Sequence, residues 1–452
     1  MGTDDLLNLA VSLTERAATD EAVEAFVTHG RDFSVKAYEG EVEKLSSSEP
    51  RGAGVRVITE GRAGFAYTTD LSDQGLDVLL ALARDNAQHA TPDDAVALAE
   101  PWSEPPADVP GLVDEQQEAV SPESRVQFAI DLDRATRAVD RQVRAVEEAV
   151  YSDSDTRIAI ANSTGISGMY RRTDAWCYSV AIATDGDDTE VGFEFDLGRG
   201  IGALDAARVA QRAAERALGV LGADKIPSAR MPVVFDPYTA AQFVGVIAQA
   251  LTGEAVQKGR SLFAGRVGDR VAGSSLTLVD DGRLKGAPGS APWDAEGVPT
   301  QRTPVISGGV LSSFLYDVTS ARREGRSSTG NASRAGFKSP PHPSPSNLAF
   351  ETTGQTPEEV MRNAGRALLV QDFHGVHSGA NPISGDFSVG ATGRLLEGGE
   401  PTAPVKEITI AAPMMEVLGA IEAVADDRRW LPFGGSYGGA TTLVAEMTIG
   451  GR

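Results

Sequence analysis

The sequence is poor in cysteine and histidine, the residues that form disulfides and that bind zinc in most protein sites. Its 452 residues include one cysteine, Cys177, which excludes an internal disulfide and a thiolate zinc cluster. None of the five histidines belongs to a His-x-x-x-His pair: His29, His89, His342, His374 and His377. The chain therefore lacks the pair of imidazoles that a helical zinc-protease site requires.

Basic residues and long apolar runs are also scarce. The 41 basic and 64 acidic side chains give a net charge of −23, which argues against nucleic-acid partners and anionic membranes. The apolar window 240–256 contains Gln242, Gln249 and Glu254 and is too short to span a bilayer. The start Met1-Gly2-Thr3-Asp4-Asp5 is acidic where a signal peptide needs positive charge. We therefore expect a cytoplasmic protein.

The abundant residues indicate a globular chain with several domains. Apolar residues make up 41 % and charged residues 23 %, which is ordinary for a folded protein. A length prior of roughly 150 residues per domain gives about three domains. We expect an N-terminal α/β unit at 1–100, a proline-rich linker at 101–120, a helix plus antiparallel meander at 121–226, and a C-terminal α+β domain at 227–452.

Local patterns place helices and strands within these units. Ser121 before Pro122, and Thr356 with Glu359 three residues later, are typical of helix starts. Four runs with alternating polarity, 143–152, 157–162, 168–184 and 190–195, predict an antiparallel meander. The fold class that follows is multi-domain α+β, with antiparallel sheets, packed helices and a mostly antiparallel C-terminal domain.

One apolar helix ends in a pair of opposite charges. Phe243, Ile247, Ala250 and Glu254 are spaced four, three and four residues apart, which places them on one face of a single helix. Glu254 would then be buried, and Lys258 one turn later would supply its counter-charge. The alternative is an exposed pair worth about 0.2–0.5 kcal/mol.

The segment LTGEAVQKG at 251–259 resembles a zinc-protease helix of the TldD/PmbA family, also called the modulator of DNA gyrase or peptidase U62 family. Further segments follow in the order of that family: GRVGDRV at 265–271, DDG at 280–282, EGVPT at 296–300, STGNA at 328–332 and HSGANPISGDFS at 377–388. The last segment is similar to the TldE/PmbA branch, which lacks the zinc motif.

The resemblance implies that the zinc ligands are missing here. Active relatives have His-Glu-x-x-x-His where this chain has Gly253, Glu254 and Lys258, and a cysteine near the carboxyl terminus where Ser436 stands, within 433–440. Glycine has no ligand atom, a lysine ammonium has no free lone pair, and a neutral hydroxyl is a poor zinc ligand. We expect no catalytic residue, metal or cofactor in this chain, and zinc in a partner subunit.

The function implied is that of a non-catalytic TldE/PmbA-like subunit in a heterodimeric TldD/TldE zinc metalloprotease for short or unfolded peptides. Its partner would be a TldD-like paralogue with an intact His-Glu-x-x-x-His motif. By itself the chain would cleave little. Two alternatives stay open: a self-assembling peptide-binding or scaffold homodimer, and a hydrolase that uses another metal or nucleophile, for example His374 and His377 with Asp372 or Asp386.

A glycine-rich segment near the carboxyl terminus is the candidate surface for a peptide or partner. The polar side chains that it offers are His377, Ser378, Asn381, Ser384 and Asp386. Such a segment could bind an extended peptide by adding a strand, or it could be a tight turn between domains. A serine nucleophile at Ser378 is disfavoured, because adjacent residues of an extended segment face opposite sides.

Overall fold

The computed structural model describes residues 3–431 and 434–452, so Met1, Gly2 and Phe433 of the sequence predictions lie outside it. The helices are α1 (Thr3–Thr14), α2 (Asp73–His89), α3 (Pro122–Ala138), α4 (Ala206–Leu218), α5 (Pro237–Ala248), α6 (Gly253–Gln257), α7 (Val318–Arg323), α8 (Pro357–Ala364), α9 (Val376–Gly379) and α10 (Met414–Ala420). Within this part of the chain no helix is both long enough and apolar enough to cross a membrane.

The strands lie between and after these helices, singly or in runs of up to four. They are β1 (Ala22–Tyr38), β2 (Glu41–Ser48), β3 (Arg51–Thr59), β4 (Arg62–Thr68), β5 (Val143–Asn162), β6 (Ser167–Asp185), β7 (Asp188–Gly198), β8 (Ala229–Phe235), β9 (Leu278–Asp281), β10 (Arg302–Ser307), β11 (Val310–Leu311), β12 (Ala332–Ser333), β13 (His342–Pro343), β14 (Leu348–Phe350), β15 (Arg366–His374), β16 (Ser388–Glu397), β17 (Glu400–Ala411), β18 (Ile421–Val424), β19 (Arg429–Trp430), β20 (Tyr437–Gly439) and β21 (Thr442–Gly450).

The N-terminal half forms one antiparallel sheet with the order β4-β3-β1-β5-β6-β7, and β2 pairs with the far half of β1. Strand β1 pairs with β5 from Glu24 opposite Asn162 to Ala37 opposite Ala149. Strands from the two predicted units, 1–100 and 121–226, thus share a sheet. We refer to it as the N-terminal sheet.

The predicted meander is present, but it has three strands and not four. The runs 143–152 and 157–162 are both part of β5. The polar stretch between them stays extended because its backbone pairs on both sides, with β1 and with β6. Its side chains have partners too: the phenol of Tyr151 donates to Asp153 at 2.7 Å, and Arg171 donates to Asp155 at 2.9 Å. The alternation of apolar and polar residues is interrupted here, so it did not predict that β5 is one continuous strand.

The C-terminal half contains two six-stranded sheets. Their orders are β17-β16-β15-β8-β21-β18 and β11-β10-β9-β14-β20-β19. The pairs β8–β15 and β14–β20 are parallel, and the other ladders are antiparallel, which confirms a multi-domain α+β fold with mostly antiparallel pairing. Helix α5 packs between the sheets, where Phe243 meets the rings of Phe235 and Phe387.

The predicted single helix through Glu254 is wrong, because the chain leaves helical geometry after Ala248. Between α5 and α6 the backbone pairs with a distant segment: Leu315 N–H donates to the Leu251 carbonyl, and Gly253 N–H donates to the Leu315 carbonyl, both at 2.9 Å. Thr252 then caps α6 by accepting from Ala255 N–H. Glu254 therefore does not continue the apolar face of Phe243.

A buried charge cluster fastens the N-terminal sheet to the C-terminal half. Arg56 of β3 donates from Nη2 to Glu24 of β1 and to Glu296, each at 2.9 Å. Arg334 also pairs with Glu24. The side chains of Glu24 and Glu296 are fully buried, so each charge depends on these partners. The cluster fixes the relative position of the two halves.

Candidate functional site

An aromatic ring closes the position of Gly253, where the resemblance places a histidine in active relatives. Gly253 is buried at the start of α6, and a Cβ built on it would overlap Cε1 and Cδ1 of Tyr316. The Tyr316 phenol is held in turn by a hydrogen bond of 2.8 Å to Glu324 Oε2. There is thus no room for an imidazole unless Tyr316 moves.

Glu254 and Lys258 form the predicted pair, but the pair is not buried. Lys258 Nζ lies 2.7 Å from Glu254 Oε1. The Lys258 side chain is 48 % exposed and the Glu254 side chain is 37 % exposed. The burial expected for Glu254 is therefore wrong, and the physical reason is the break after α5 that turns α6 toward solvent. The geometry matches the alternative, an exposed pair one helical turn apart.

Ser436 stands where the resemblance places a cysteine in active relatives. Its side chain is buried, and its Oγ donates to Asn347 Oδ1 at 2.7 Å. The three positions thus offer a glycine, an ammonium already paired with a carboxylate, and a neutral hydroxyl already engaged. This donor set does not fit zinc. In the part of the chain that the structure describes, no three His, Cys, Asp or Glu side chains come together as a metal site.

Helix α6 borders a cleft of about 370 Å³. Residues of α6 and of the glycine-rich segment, both named in the sequence analysis, line this cleft. We call it the α6 cleft. It is lined by the end of α5, by α6, by the segment 342–345, by the glycine-rich segment and by β20. The lining includes Gln249, Thr252, Glu254, Lys258, His342, Ser344, Pro345, Pro382, Ile383 and Tyr437.

The glycine-rich segment 377–388 is folded onto itself as a closed turn. Asn381 N–H donates to the Asp386 carbonyl at 2.8 Å, and Asn381 Oδ1 accepts from Ile383 and Ser384 N–H. Ser384 Oγ donates to Asp386 Oδ2 at 2.6 Å. These contacts favour the tight-turn alternative for the polar side chains. It is Pro382 and Ile383, the latter 52 % exposed, that reach the α6 cleft.

The rival catalytic groups are not assembled. His374 lies on β15, where its Nε2 is 2.9 Å from Thr392 Oγ1 and its Nδ1 is 3.8 Å from Asp372. His377 and Ser378 lie on the single turn α9 and not on an extended segment. Ser378 Oγ donates to the Gly375 carbonyl at 3.1 Å, so its proton is not directed at an imidazole as a serine nucleophile requires.

Comparison with known proteins identifies the family. Three domain descriptions match in order: "PmbA/TldA metallopeptidase domain 1" at residues 23–87, the central domain at 115–221 and the C-terminal domain at 228–451. The chain belongs to the PmbA/TldD family. The match to the C-terminal domain is the longest of the three and contains helix α6.

Relatives named for both branches of the PmbA/TldD family align over nearly the whole chain. "Metalloprotease PmbA" of Escherichia coli O157:H7 is 28 % identical over 451 residues, covering 99 % of this chain and 96 % of the relative. "Metalloprotease TldD homolog" of Haemophilus influenzae is 26 % identical over 447 residues, covering 94 % and 89 %.

Solved structures share the fold. TldE from Thermococcus kodakarensis superimposes with a TM-score of 0.86 at 23 % identity, covering 99 % of both chains. A Thermotoga maritima protein, named as a candidate modulator of a DNA gyrase, gives a TM-score of 0.88 at 24 % identity, covering 99 % of this chain and all of that one.

Buried hydrogen bonds connect the DDG, EGVPT and STGNA segments to neighbouring parts of the chain. Asp280 Oδ2 accepts from Asn331 Nδ2 at 2.7 Å, and its Oδ1 accepts from Ser346 N–H at 2.8 Å. Burial raises the pKa of Asp280 to about 6. Asp294 accepts from three backbone amides, those of Glu296, Val298 and Ala332. The sequence shows the DDG segment that contains Asp280 and the segments EGVPT and STGNA that contain several of the partners, but it did not predict that these carboxylates are buried or hydrogen-bonded to these segments.

A second cavity, of about 510 Å³, separates the N-terminal sheet from the C-terminal half of this PmbA/TldD chain. We call it the interdomain cavity. It shares Ser344 and Pro345 with the α6 cleft, so the two spaces adjoin. Sequence reasoning did not predict it, because its walls come from segments far apart in the chain.

Proposed function

We propose that this chain is the TldE/PmbA-like subunit, without zinc of its own, of a heterodimeric TldD/TldE metalloprotease that acts on short or unfolded peptides in the cytoplasm. The partner would be a TldD-like paralogue with the intact His-Glu-x-x-x-His motif. Zinc held by the partner supplies the Lewis-acid chemistry of peptide hydrolysis. This chain would contribute a wall beside the catalytic chamber.

The observation that carries the proposal is the closed position at Gly253. A metal site that had only lost its ligands would leave space where an imidazole stood. Here the Tyr316 ring packs on Gly253, and the Tyr316 phenol is fixed by Glu324. The equivalent of the catalytic glutamate, Glu254, is tied to Lys258. The local structure is thus complete without a metal.

The α6 cleft supports a role in handling peptides. It is open to solvent beside α6, and it carries apolar surface from Pro345, Pro382 and Ile383 next to the polar side chains of Gln249 and Thr252. A mixed surface of this kind suits an extended chain of varied sequence, since apolar contacts need no fixed partner while polar groups satisfy the peptide backbone.

The self-assembling alternative draws on a different surface. All eight residues of β2 are exposed, and its outer edge is unpaired in the sheet order. Val42 and Leu45 of this strand are 43 % and 50 % exposed. An open edge with apolar side chains is a site for strand pairing between chains. The same edge suits a second copy or a paralogue.

The deciding experiment mixes this chain with a TldD-like paralogue from the same genome. Peptidase activity is measured on an unstructured, internally quenched peptide for each chain alone and for the mixture, with oligomeric state followed by sedimentation. We expect activity that requires the paralogue and is raised at least tenfold by this chain, in a mixed dimer. A stable homodimer that ignores the paralogue, or hydrolysis by this chain alone, would overturn the proposal. Replacing the glutamate of the paralogue's motif by glutamine serves as the inactive control.

A further inference from the structure

One face of the N-terminal sheet forms a polar wall of the interdomain cavity. Tyr170, Arg172 and Asp174 alternate along β6 and line the cavity together with residues of β1 and β5. Alternate residues of a strand share a face, so Arg171 points to the opposite side, where it pairs with Asp155. Of the two adjacent arginines, Arg172 therefore lines the interdomain cavity and Arg171 does not.

Arg172 presents an unused hydrogen-bonding fork to the interdomain cavity. Its Nε donates to Asp174 Oδ2 at 2.8 Å. Its two terminal nitrogens donate to no residue that the structure describes. A planar guanidinium with free donors matches the two oxygens of a carboxylate. The hydroxyls of Thr28, Ser154 and Thr156 line the same wall and are further donors.

The charges around Arg172 leave an excess of positive charge at this wall. Asp174 serves two guanidinium groups, since its Oδ1 also accepts from Arg199 Nη1 at 2.6 Å. Arg334, across the cavity, is balanced by Glu24. Burial, and next the charge of Glu296, raises the pKa of Asp294 on the opposite wall, which lowers its negative charge near neutral pH. The Arg172 side chain is 31 % exposed and that of Asp174 19 %, so this positive excess is partly shielded from solvent and attracts an anion more strongly than it would in bulk water.

The position of the cavity indicates how a peptide would reach Arg172. Ser344 and Pro345 line both the interdomain cavity and the α6 cleft. A chain lying in the α6 cleft can therefore continue past this loop into the cavity. Trp293 and Tyr170, whose rings meet edge to face at 4.7 Å between centroids, supply an apolar surface on the way to the guanidinium.

We propose that the interdomain cavity binds the carboxyl-terminal end of a peptide, with the α-carboxylate on the fork of Arg172. The inference rests on the proposed function only in taking a peptide as the ligand. It assigns a direction to that ligand: the carboxyl terminus lies between the two halves of this chain, and the preceding residues lie in the α6 cleft.

The test measures binding to the full isolated chain, without the paralogue, by titration calorimetry and by the change in tryptophan fluorescence. The probes are an N-acetylated alanine tetrapeptide with a free carboxyl terminus, the same peptide as its amide, and an amidated peptide with one glutamate. We expect the acid to bind at least tenfold more tightly than its amide, and the glutamate peptide to bind no better than the amide.

Two variants locate the effect. In Arg172→Gln the preference for the acid should vanish, while Asp174 keeps Arg199 as its partner. Arg172→Lys keeps the charge but loses the fork, so it should retain only part of the preference. Arg171→Gln, in the next position and on the other face, is the matched control and should keep the full preference.

Several results would overturn the inference. They are equal binding of acid and amide by the unmodified chain, binding of the glutamate peptide as tight as that of the acid, or a preference that survives in a folded Arg172→Gln. The comparison of acid with amide needs no variant, so it decides even if a substitution prevents folding. If the mixture with the paralogue proves inactive while the acid preference holds, only the proposed function fails.

Discussion

At the scale of residues, the contacts around the start of α6 decide which side chains fit there. Gly253 is required because Tyr316 lies where any side chain would begin. Lys258 neutralises Glu254 on a half-exposed surface, where such a pair is worth about 0.2–0.5 kcal/mol. The packing of Tyr316 is thus the stronger constraint, and the charge pair is the weaker one.

Adding one methyl group at Gly253 tests this packing. We expect Gly253→Ala to lower the free energy of unfolding by about 1–3 kcal/mol, because the new Cβ forces the Tyr316 ring out of its place. Urea denaturation measures the change. Gly419→Ala, in α10 with no atom within 4 Å of the added Cβ, is the control and should be neutral or slightly stabilising. Equal effects of the two substitutions would show that Tyr316 does not close the site.

Asp280 makes stability depend on pH in a predictable direction. Burial raises its pKa in the folded protein to about 6, well above the ordinary pKa of an aspartate near 3.9, so between these pH values the folded state binds a proton that the unfolded state releases. Its contribution is full below about pH 4 and is lost as the pH rises through 6, by on the order of 3 kcal/mol. In urea denaturation at several pH values, the cost of Asp280→Asn should shrink from pH 4 to pH 7. A cost that stays constant or grows would contradict this assignment.

At the scale of elements, local signals were predictable and long-range pairing was not. The caps at Ser121 and Thr356 depend on residues three positions away and are confirmed. The break between α5 and α6 depends on Leu315, more than sixty residues further along, which pairs with the backbone at Leu251 and Gly253. The helical spacing of apolar residues continues from α5 into α6 in the sequence and so gives no sign of the break. The signal for a new helix start was Thr252, a good capping residue.

Thr252 sets the start of α6 and with it the direction of Glu254. Its hydroxyl accepts from Ala255 N–H at 3.2 Å. Thr252→Ala should cost about 1 kcal/mol of unfolding free energy, because a buried helix amide loses its acceptor. Thr252→Ser keeps the oxygen and should recover most of the loss in the same denaturation experiment. Equal losses in both variants would assign the effect to the missing methyl group.

At the scale of the whole molecule, the order of short motifs predicted the family, and local helix and strand patterns predicted the fold class, but neither predicted which contacts the motifs make. Glu296 of the EGVPT segment binds Arg56, 240 positions earlier in the chain. In the sequence this segment was only one of the motifs that carry the family resemblance, whereas in the structure it joins the two halves. No local pattern encodes a contact across that distance, so the interdomain cavity that it helps to frame was equally hidden.

The charge cluster should dominate the coupling between the two halves. Arg56→Met leaves Glu296 buried without its cation, while Glu24 keeps Arg334. We expect a loss of about 3 kcal/mol in unfolding free energy, seen in urea denaturation. Arg16→Met is the control, because its partner Asp77 is largely exposed and a surface pair contributes at most about 1 kcal/mol. A loss at Arg56 no larger than at Arg16 would contradict the clamping role.

Native mass spectrometry of the complex formed on co-expression with the TldD-like paralogue tests the proposed division of labour most directly. It reports subunit composition and bound metal in one spectrum. We predict one copy of each chain with a single zinc ion, and no zinc on this chain when it is purified alone. Stoichiometric zinc on this chain by itself, or only homodimers in the co-expressed sample, would contradict the proposal that it serves as the subunit without zinc.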